Sequence, residues 1–583
     1  MKKKIVAALM ASVMCLSMLA GCGNNDDGQQ GGNSGNSGSS EGTSSTPTSS
    51  DNSSSPDASQ PSGEGDTNAQ GWEQTWPDGQ KITWLVRDDN VDPKDSRYQQ
   101  LIAVEKIEEM FHVDIEFIIF NGKADDAKEQ YMTMVTTDPL PDVIAYLNEE
   151  MYKNTENGKN GITGLKEMGV IPQRLNEIIE SKMPNLSKIL EDHPDIARDM
   201  SDSNGDYLYF QRINPLDVTG IVASNDTGLV MRKDWLDEVG MEVPTNMAEW
   251  EEVLRAFKTL GDDKIPFDAY SSGIQLFEGA FGMMSGIYID PDTGKVEYGA
   301  RTQKYKAYLE TMNRWHTEGL MAEAFDENGN ATKGTGDDNV LSSIAGSWKG
   351  LANNGGEGSK FEGKLRTEKG QPNATLVAVP WPATEDGKVY SPRAVSRKQR
   401  ETEIITVDAA KEPEKMDAIA TIIDYMYSEE GSVLLTWGEE GVTFETDELG
   451  NRRLTEYGNE QLELPGNTGK PQRYKMYGNQ SGGFPSYGCF DVNLATRNEW
   501  YVNAATTWVE DTSFELGYPG SISVSVDTSN SQLDTYIAEM KWKFITGQEP
   551  LSNFDTYVAE LERMGISDIV KAYQDAYDIY LSK

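Results

Sequence analysis

Two spacings of apolar residues alternate along the first part of the folded chain. Lys81–Val86 and Val113–Phe120 are short stretches rich in β-branched and aromatic residues, which is typical of strands. Between them, the apolar residues of Leu101–Phe111 recur at helical spacing. Asp125–Val135 is a second predicted helix, and Asp142–Tyr146 is a third, short strand. Strand alternating with helix predicts right-handed crossovers and a mostly parallel α/β sheet.

A second α/β region follows the first. Asn246, with Glu249 three residues later, has the spacing of a capping box at the start of a helix. The apolar stripes of the predicted helices, including Trp235, Trp250 and Trp315, are interpreted as core. The predicted strands are Ile221–Ala223, Gly228–Met231 and Thr375–Val379, and the predicted helices are Trp250–Phe257, Tyr305–Trp315 ending at Gly319, Pro413–Tyr427, and a pair within Phe554–Leu581 that is split near Gly565.

The first residues have the pattern of a secretory signal. Lys2, Lys3 and Lys4 precede Ile5–Ala20, an uncharged and mostly apolar stretch that is shorter than the roughly 20 residues a membrane-spanning helix needs. The stretch ends in Leu-Ala-Gly-Cys22, which resembles a bacterial lipobox. That resemblance implies a signal peptide over residues 1–21 and a lipidated Cys22. A soluble secreted protein is the alternative.

Residues 22–71 are interpreted as the lipidated Cys22 followed by a disordered tether. They consist almost entirely of Gly, Ser, Asn, Thr, Asp, Gln and Pro, and the first aromatic residue of the chain is Trp72. Such a composition buries too little apolar surface to offset the entropy of ordering. An adhesive stalk is the alternative. The part that follows is long enough for at least two domains or lobes.

Acidic residues outnumber basic ones by 95 to 52, so the formal net charge is −43. Phosphate affinity needs clustered Lys and Arg, and the absence of any basic stretch of domain size argues against binding to nucleic acid. Without the three signal lysines and the seven carboxylates of the tether, the folded part keeps a charge of −39. That charge also disfavours a strongly polyanionic ligand.

The usual catalytic signatures are missing from the sequence. The three histidines are far apart, so they do not form a zinc motif. Gly466–Lys470 has the wrong spacing for a phosphate-binding loop, and Gly282–Gly286 is one residue out of register for a nucleophile elbow. Glycoside hydrolysis needs a pair of carboxylates. The sequence has 95 of them, so the presence of a pair argues neither for nor against this activity. We predict no catalytic residue, cofactor or metal.

Two acidic loops suggest calcium but depart from its binding pattern. Asp326–Asp337 has oxygen ligands at alternate positions, yet Ala331 stands where the turn needs Gly, and no Glu closes the loop. The loop that begins Asp202–Asp206 departs from the calcium-binding pattern earlier, because Tyr207 occupies the position where the pattern has Gly. Both loops are interpreted as polar turns.

The segment Gly228–Thr245, which reads GLVMRKDWLDEVGMEVPT, resembles a segment of the extracellular solute-binding proteins of family 1, in particular the large oligosaccharide-binding lipoproteins of Gram-positive bacteria. Many relatives carry a calcium loop before an Ile-Pro-Phe sequence, but here only Gly261–Lys264 stands at that place, so a calcium site is not carried over. The resemblance continues in Leu140–Val143, Trp315–Leu320, Trp437–Val442, Lys543–Gly547 and Leu561–Tyr577.

The resemblance implies an α/β, two-lobed, periplasmic-binding-protein-like fold with a hinge and an inter-lobe cleft. By analogy, lobe one is expected at 80–220 plus 385–440, and lobe two at 221–384 plus 441–583. The ligand would stabilise the closed state by touching both lobes.

The function that the resemblance implies is capture of a carbohydrate, in particular a neutral oligosaccharide, and its delivery to an ABC importer. The protein would be a monomer, anchored by lipid to the extracellular face of the membrane, and its partners would be the permease subunits. It would not be an enzyme. A surface-tethered glycoside hydrolase and a peptide-binding lipoprotein are the alternatives.

Sugars present apolar C–H faces and a ring of hydroxyl groups, so a site for them needs flat aromatic side chains and polar groups at the rim. Aromatic residues in loops rich in Gly, Pro or Asn are the best candidates, because core packing explains them less well; for Trp348 core packing stays an equal alternative. The predicted ligand-binding residues are Tyr209, Phe210, Asn225, Asp226, Tyr270, Trp348, Trp381, Arg393 and Tyr487.

Overall fold

The structure is a computed structural model that describes residues 74–87, 101–120, 133, 139–145, 161–202, 204–213, 227–321, 336–352, 361–392, 398–463, 484–485, 487, 499–508, 514–518, 522 and 530–583. All of them belong to one unit of the chain, Thr67–Lys583. Within these ranges no helix has both the length and the apolar character that crossing a membrane requires.

The elements are numbered in chain order within the described ranges. The strands are β1 Gln80–Arg87, β2 Val113–Phe120, β3 Val143–Ile144, β4 Phe210–Ile213, β5 Thr227–Arg232, β6 Ile265–Asp268, β7 Ile287–Ile289, β8 Val296–Tyr298, β9 Ala345–Leu351, β10 Leu376–Val379, β11 Tyr390–Ser391, β12 Lys398–Ile405, β13 Phe444–Thr446, β14 Arg452–Leu454 and β15 Phe514–Glu515. The α-helices are α1 Ile102–Phe111, α2 Gly161–Met168, α3 Asn176–Lys182, α4 Pro184–Asp192, α5 Pro194–Met200, α6 Lys233–Val239, α7 Met247–Lys258, α8 Gln303–Thr317, α9 Gly336–Leu341, α10 Glu362–Thr367, α11 Val407–Ala410, α12 Pro413–Met426, α13 Glu429–Trp437, α14 Glu456–Glu463, α15 Glu499–Thr507, α16 Ser531–Ile545, α17 Phe554–Arg563 and α18 Ile566–Ser582. Short 3₁₀ helices cover Tyr270–Phe281, Gly299–Arg301 and Leu551–Asn553.

The first sheet has the strand order β2-β1-β3-β12-β4. β1 pairs in parallel with β2 and β3, whereas β12 is antiparallel to both β3 and β4. Side chains alternate between the two faces of β1, with Trp84 in a large core and Leu85 in a smaller cluster. Because apolar residues cover both faces, β1 carries an uninterrupted apolar run at Trp84–Val86. The parallel arrangement predicted for β1 to β3 is confirmed.

The second sheet has the order β10-β5-β9-β6 and is mixed. β5 is antiparallel to β10 and β9, and only β6 pairs in parallel with β9. All six residues of β5 are buried, as a central strand requires. Helices α6, α7 and α8 pack around this sheet and contribute Trp235, Trp250 and Trp315 to its core, as their spacing predicts.

Aromatic rings fill the centre of the second core. Phe277 lies edge-on to Trp250 and Trp315, with ring centroids 4.9 and 5.0 Å away. The Phe267 ring centroid lies 5.1 Å from that of Phe277. Edge-to-face pairs at these distances add to the stabilisation that their buried area provides. The residue types predicted as core therefore form one continuous aromatic cluster.

One carboxyl group, that of Glu278, is buried in this core. Its Oε2 accepts a hydrogen bond from the Ser285 N–H at 2.8 Å, and burial raises the pKa of Glu278 to about 7. Lys541 of α16 opposes it, and burial lowers the pKa of that ammonium group. Tyr305 and Tyr308 of α8 are also buried close enough to interact with the Glu278 charge. The protonation state of Glu278 is therefore coupled to the stability of the fold.

Two cores divide the chain, and we call the elements around them the first lobe and the second lobe. The core of the first lobe draws on residues 76–213, 405–435 and 484, and that of the second on residues 229–390 and 501–566. The predicted boundaries differ from these cores at two places. Tyr390 was predicted in lobe one, but β11 pairs with β15 and Tyr390 lies in the second core. Phe484 was predicted in lobe two, but its ring packs 5.3 Å from Trp84 in the first core.

Most predicted elements are confirmed, with ends that differ by a few residues. Asn246 accepts a hydrogen bond from the Glu249 N–H at 3.0 Å at the start of α7, and the Glu249 carboxylate accepts from Thr245 N–H at 2.7 Å, so the capping box is displaced by one residue. The terminal helices α17 and α18 part at Gly565, whose φ of +92° favours glycine. The predicted strand Ile221–Ala223 and the predicted helix Asp125–Val135, apart from the helical Thr133, lie outside the described residues.

Candidate ligand-binding junction between the two lobes

The chain leaves the first lobe from one edge of its sheet. Ile213 ends β4, and Lys398 begins β12 opposite Ile213 in register. Tyr487 forms an isolated parallel bridge with the same residue, Ile213. Three chain passages therefore start side by side. Such an arrangement permits rotation of one lobe against the other about a common hinge.

The same passages reach the second lobe at the ends of three elements. Thr227 begins β5, Ser391 ends β11 and Glu499 begins α15. The residues between the two sets of ends, 214–226, 393–397 and 488–498, lie outside the described residues. We call the region bounded by these ends the junction.

The strand pair β4–β12 is irregular next to the junction. Its register shifts between Lys398 and Thr402, and the Tyr427 hydroxyl makes two bonds to the β4 backbone there. It donates to the Gln211 carbonyl at 2.6 Å and accepts from the Gln211 N–H at 3.0 Å. Burial, with a smaller contribution from Glu403, raises the pKa of Tyr427 well above its ordinary value, so the hydroxyl stays a donor. Irregular pairing of this kind is common beside functional sites.

Tyr209 and Phe210, both predicted to bind ligand, lie at the start of β4 but on opposite faces. Tyr209 is half-buried and packs against the smaller cluster that contains Leu85. Phe210 is fully buried in the first core. Successive strand residues point to opposite faces, so the two side chains do not form one surface. Phe210 has no exposed surface in this arrangement, so it presents no face to a sugar here, and its role in ligand binding stays a prediction.

Tyr487 lies directly at the junction and is held on three sides. Its backbone bridges Ile213, and its carbonyl accepts a hydrogen bond from the Ser432 hydroxyl at 2.5 Å. Its ring stacks on His193 with centroids 6.1 Å apart, and its hydroxyl lies 3.3 Å from His193 Nε2. The side chain is half-buried, so Tyr487 combines a fixed position with exposed surface.

Trp348 and Trp381, the two predicted tryptophan platforms, lie in the second sheet. Trp348 is on β9 and is 5% exposed, with its ring edge-on to Phe361 at 6.0 Å. Trp381 follows β10 and is 1% exposed, and its Nε1 donates to the Trp508 carbonyl at 2.7 Å. A stacking platform needs one open face, which neither ring has in this arrangement. Both tryptophans lie in the second core in this arrangement, and their contact with a ligand stays a prediction.

No family model matches the chain. Among curated proteins, the fructooligosaccharide ABC transporter substrate-binding protein FusA of Streptococcus pneumoniae is 24% identical over 546 residues, which cover 87% of this chain and 92% of FusA. Among solved structures, an HMO-binding, ABC-transporter-associated solute-binding protein from Bifidobacterium longum infantis superposes with a TM-score of 0.60 at 18% identity, over 86% of this chain and 99% of that one. The fold is that of an ABC-transporter solute-binding protein.

The predicted two-lobed solute-binding fold is thereby confirmed. The crystal structure of Streptococcus pneumoniae FusA in complex with kestose also superposes, with a TM-score of 0.54 at 21% identity over 86% of this chain and 100% of the crystallised chain. The resemblance inferred from Gly228–Thr245 and the later motifs is likewise confirmed, since these similar proteins are substrate-binding proteins of ABC transporters.

The side chains of four predicted ligand residues are not described. Asn225 and Asp226 directly precede β5, and Arg393 follows Pro392, so these three belong to two of the passages and lie outside the described residues. Tyr270 begins the 3₁₀ helix Tyr270–Phe281, and its side chain is outside the description as well. Their contacts stay predictions.

Trp508 was missed by the sequence analysis, although it fixes the second-lobe end of the junction. Its indole lies directly on Gly228 of β5, where an added Cβ would come within 2.2 Å of ring carbons Cδ2 and Cε2. Its Nε1 donates to the Leu229 carbonyl at 3.2 Å, and its own carbonyl accepts from Trp381. Gly228 begins the motif that suggested the family, but nothing in a single sequence connects it with a residue so far along the chain.

The acidic loop at Asp202 is the polar turn that was predicted. Its Oδ1 accepts hydrogen bonds from the N–H groups of Asn204 and Asp206 at 2.8 and 3.0 Å. The Lys166 ammonium lies 3.6 and 3.5 Å from the Oδ2 atoms of Asp202 and Asp206, so one lysine pairs with both carboxylates and offsets part of their charge. In the described part of the chain no three His, Cys, Asp or Glu side chains are grouped as metal ligands would be. The second candidate loop, Asp326–Asp337, begins outside that part.

Proposed function

We propose that the protein is an extracellular substrate-binding lipoprotein that captures a neutral oligosaccharide and delivers it to the permease subunits of an ABC importer. The observation that supports this most is a solute-binding fold whose three passages start side by side, combined with similarity to FusA along 87% of the chain. FusA is named for fructooligosaccharides, and one similar structure is described as HMO-binding. Both names point to short sugar chains.

The ligand would bind at the junction and touch both lobes. Tyr209 and Tyr487 would supply half-buried aromatic faces from the first lobe. Asn225, Asp226 and Arg393 would supply hydrogen-bonding groups from the passages, and Tyr270 would supply one from the second lobe. Trp348 and Trp381 would contact the sugar only after the side chains around them move. Hydroxyl groups of a sugar would then replace water on these polar groups, while its C–H faces cover the rings.

The charge of the folded part favours a neutral ligand. It carries −39 formal charges, which repel a polyanionic chain at long range. Among the proposed ligand residues, Arg393 is the one cation and Asp226 the one anion, so their formal charges cancel. A neutral oligosaccharide needs no compensating cluster of cations.

The same proposal covers attachment and assembly. Residues 1–21 would be removed as a signal peptide, and Cys22 would carry the lipid that holds the protein on the extracellular face of a Gram-positive membrane. Two or more acyl chains give stable anchoring, whereas one is marginal. The protein would act as a monomer, without catalysis, a cofactor or a metal ion.

Isothermal titration with kestose, human milk oligosaccharides and a mixture of short peptides tests the proposal, and chromatography of each mixture tests for turnover. Binding of an intact oligosaccharide is expected, together with a raised melting temperature, since a ligand at 100 times its Kd stabilises a protein by about 2.7 kcal/mol. Tyr487→Ala should weaken binding at least tenfold. Tyr457→Ala, at a tyrosine that is 45% exposed on α14, is the matched control and should not. Binding of peptides alone, or cleavage of the sugar, would overturn the proposal.

A further inference from the structure

The last helix, α18, is built into the second lobe for most of its length. Ile566 at its start lies in the second core. The Gln574 side chain accepts a hydrogen bond from the Val296 N–H of β8 at 2.8 Å. The Tyr518 hydroxyl donates to the Tyr573 carbonyl at 2.9 Å, and the Tyr518 ring lies 5.0 Å from that of Tyr573. The helix therefore moves with the second lobe.

The end of α18 contacts the first lobe instead. The Tyr580 hydroxyl donates to Asp199 Oδ1 at 2.8 Å, and the Arg198 guanidinium carbon lies 5.4 Å from the centre of the Tyr580 ring. The Lys583 ammonium donates to the Ser201 carbonyl at 2.8 Å. Arg198 and Asp199 belong to α5, and Ser201 follows its last residue.

This contact is packed rather than superficial. Tyr580 is only 8% exposed although it lies three residues from the end of the chain. Burial and the neighbouring Asp199 carboxylate raise the pKa of Tyr580 above its ordinary value, so the hydroxyl stays a donor at physiological pH. A hydrogen bond from a hydroxyl to a carboxylate is among the stronger kinds in proteins.

Helix α5 connects this contact to the junction. Ile196 and Met200 anchor it in the first core. His193, directly before the helix, stacks on Tyr487 at the junction. The helix has seven residues and is therefore about 10 Å long. One end of a short, rigid element thus touches a proposed ligand residue, and the other end touches the second lobe.

We propose that the last turn of α18 is a fourth, non-covalent connection between the lobes, and that Tyr580 and Lys583 are positioning residues for ligand binding. They act through α5, which they hold in one orientation against the second lobe, and α5 in turn fixes His193 beneath Tyr487. Three covalent passages at one edge of the sheet leave one lobe free to rotate against the other. A fourth contact away from these passages restricts that rotation. Loss of this contact would release a range of lobe orientations, most of which cannot touch the sugar from both sides.

The affinity part of this inference rests on the proposed function, but the restraint between the lobes does not. Hydrogen exchange in the full chain measures the restraint without any sugar. In a variant that combines Tyr580→Phe with deletion of Lys583, amide exchange across residues 194–200 should become about tenfold faster, because a hydrogen bond to a charged group is lost. Exchange in α12 should stay unchanged, since a general loss of structure would raise it there too.

Tyr577→Phe is the matched control, because Tyr577 lies on the same helix and stacks on Tyr580 at 6.2 Å. It should leave exchange across residues 194–200 as in the wild type. Kestose affinity, measured by titration, should fall about fivefold or more in the double variant and stay constant in the control. Unchanged exchange across residues 194–200, or tighter kestose binding, overturns the inference. If the wild type does not bind kestose, the proposed specificity fails, while the exchange result still decides on the contact between the lobes.

Discussion

The contact between Gly228 and Trp508 gives a quantitative test of the second-lobe end of the junction. In Gly228→Ala, the new Cβ would lie 2.2, 2.2 and 2.4 Å from three atoms of the indole. Unstrained carbon contacts lie at about 3.5 to 4.0 Å, so the ring would have to move by more than 1 Å. The indole is fully buried and hydrogen-bonded to Leu229, and Trp381 donates to the carbonyl of the same residue, Trp508.

Two costs follow from that movement. Overpacking of a well-filled core costs about 1 to 3 kcal/mol. A weakened indole hydrogen bond adds about 1 kcal/mol. We therefore expect Gly228→Ala to lower the free energy of unfolding by about 2 to 4 kcal/mol, measured by urea unfolding with tryptophan fluorescence. Gly286→Ala is the control, since a Cβ there would meet no atom within 4 Å and should change stability little.

A double-mutant cycle isolates the contact itself. Trp508→Phe creates space above Gly228, so Gly228→Ala should cost at least about 1 kcal/mol less in that background than in the wild type. Destabilisation by Gly228→Ala of less than about 0.5 kcal/mol, or full additivity of the two substitutions, would show that the indole does not lie on Gly228.

Three further predictions concern the second core, one helix end and the lipid anchor. Since Glu278 has a native pKa of about 7 against an ordinary value of 4.5, the native state binds a proton that the unfolded state releases, and this stabilisation is lost as the pH rises through 7. Relative to the wild type, the free energy of unfolding of Glu278→Gln should therefore rise by up to about 3 kcal/mol between pH 5 and pH 8. Melting temperatures measured over this range should show the rise, and parallel pH profiles of the two proteins would contradict it. Asn246→Ala removes the cap of α7 and should cost about 1 kcal/mol in urea unfolding, whereas Asn246→Asp should restore most of it; equal losses in both variants would argue against capping. Cys22→Ser should move the protein from the membrane fraction to the culture medium of a Gram-positive host, as measured by fractionation and immunoblotting, and retention in the membrane fraction would exclude a lipid anchor at that residue.

The sequence was sufficient for elements whose pattern is local. Val113–Phe120 has the predicted bounds, and Gly565 separates the last two helices as its conformational freedom suggests. Trp250 and Trp315 lie in the core because their helices repeat apolar residues at a fixed spacing. In each of these cases the residues that decide the structure are within one or two turns of each other.

The candidate site was harder to predict because its residues are distant in sequence. Trp348 and Trp381 stand in loop-like sequence, yet β9 and the end of β10 bring them into the second core beside Trp508. Phe210 follows Tyr209 directly, but strand alternation turns the two side chains to opposite faces. The partners of Tyr487, His193 and Ser432, carry no sequence signal of their role. Spacing along one chain cannot reveal which loops a tertiary fold brings together.

The position of β12 has a consequence for the order in which the two sheets can form during synthesis. β12 lies between β3 and β4, and β4 pairs with no other named strand of the first sheet. Strands β5, β9, β6 and β10 all precede β12 in the chain, so the second sheet can pair while β4 still waits for its partner. The sheet that begins first is therefore completed later, and its closing step is a pairing between distant segments, which is intrinsically slow. Until that step, Phe210–Ile213 is an exposed strand edge, and a nascent or truncated chain that stops before Lys398 should be prone to aggregation at this edge.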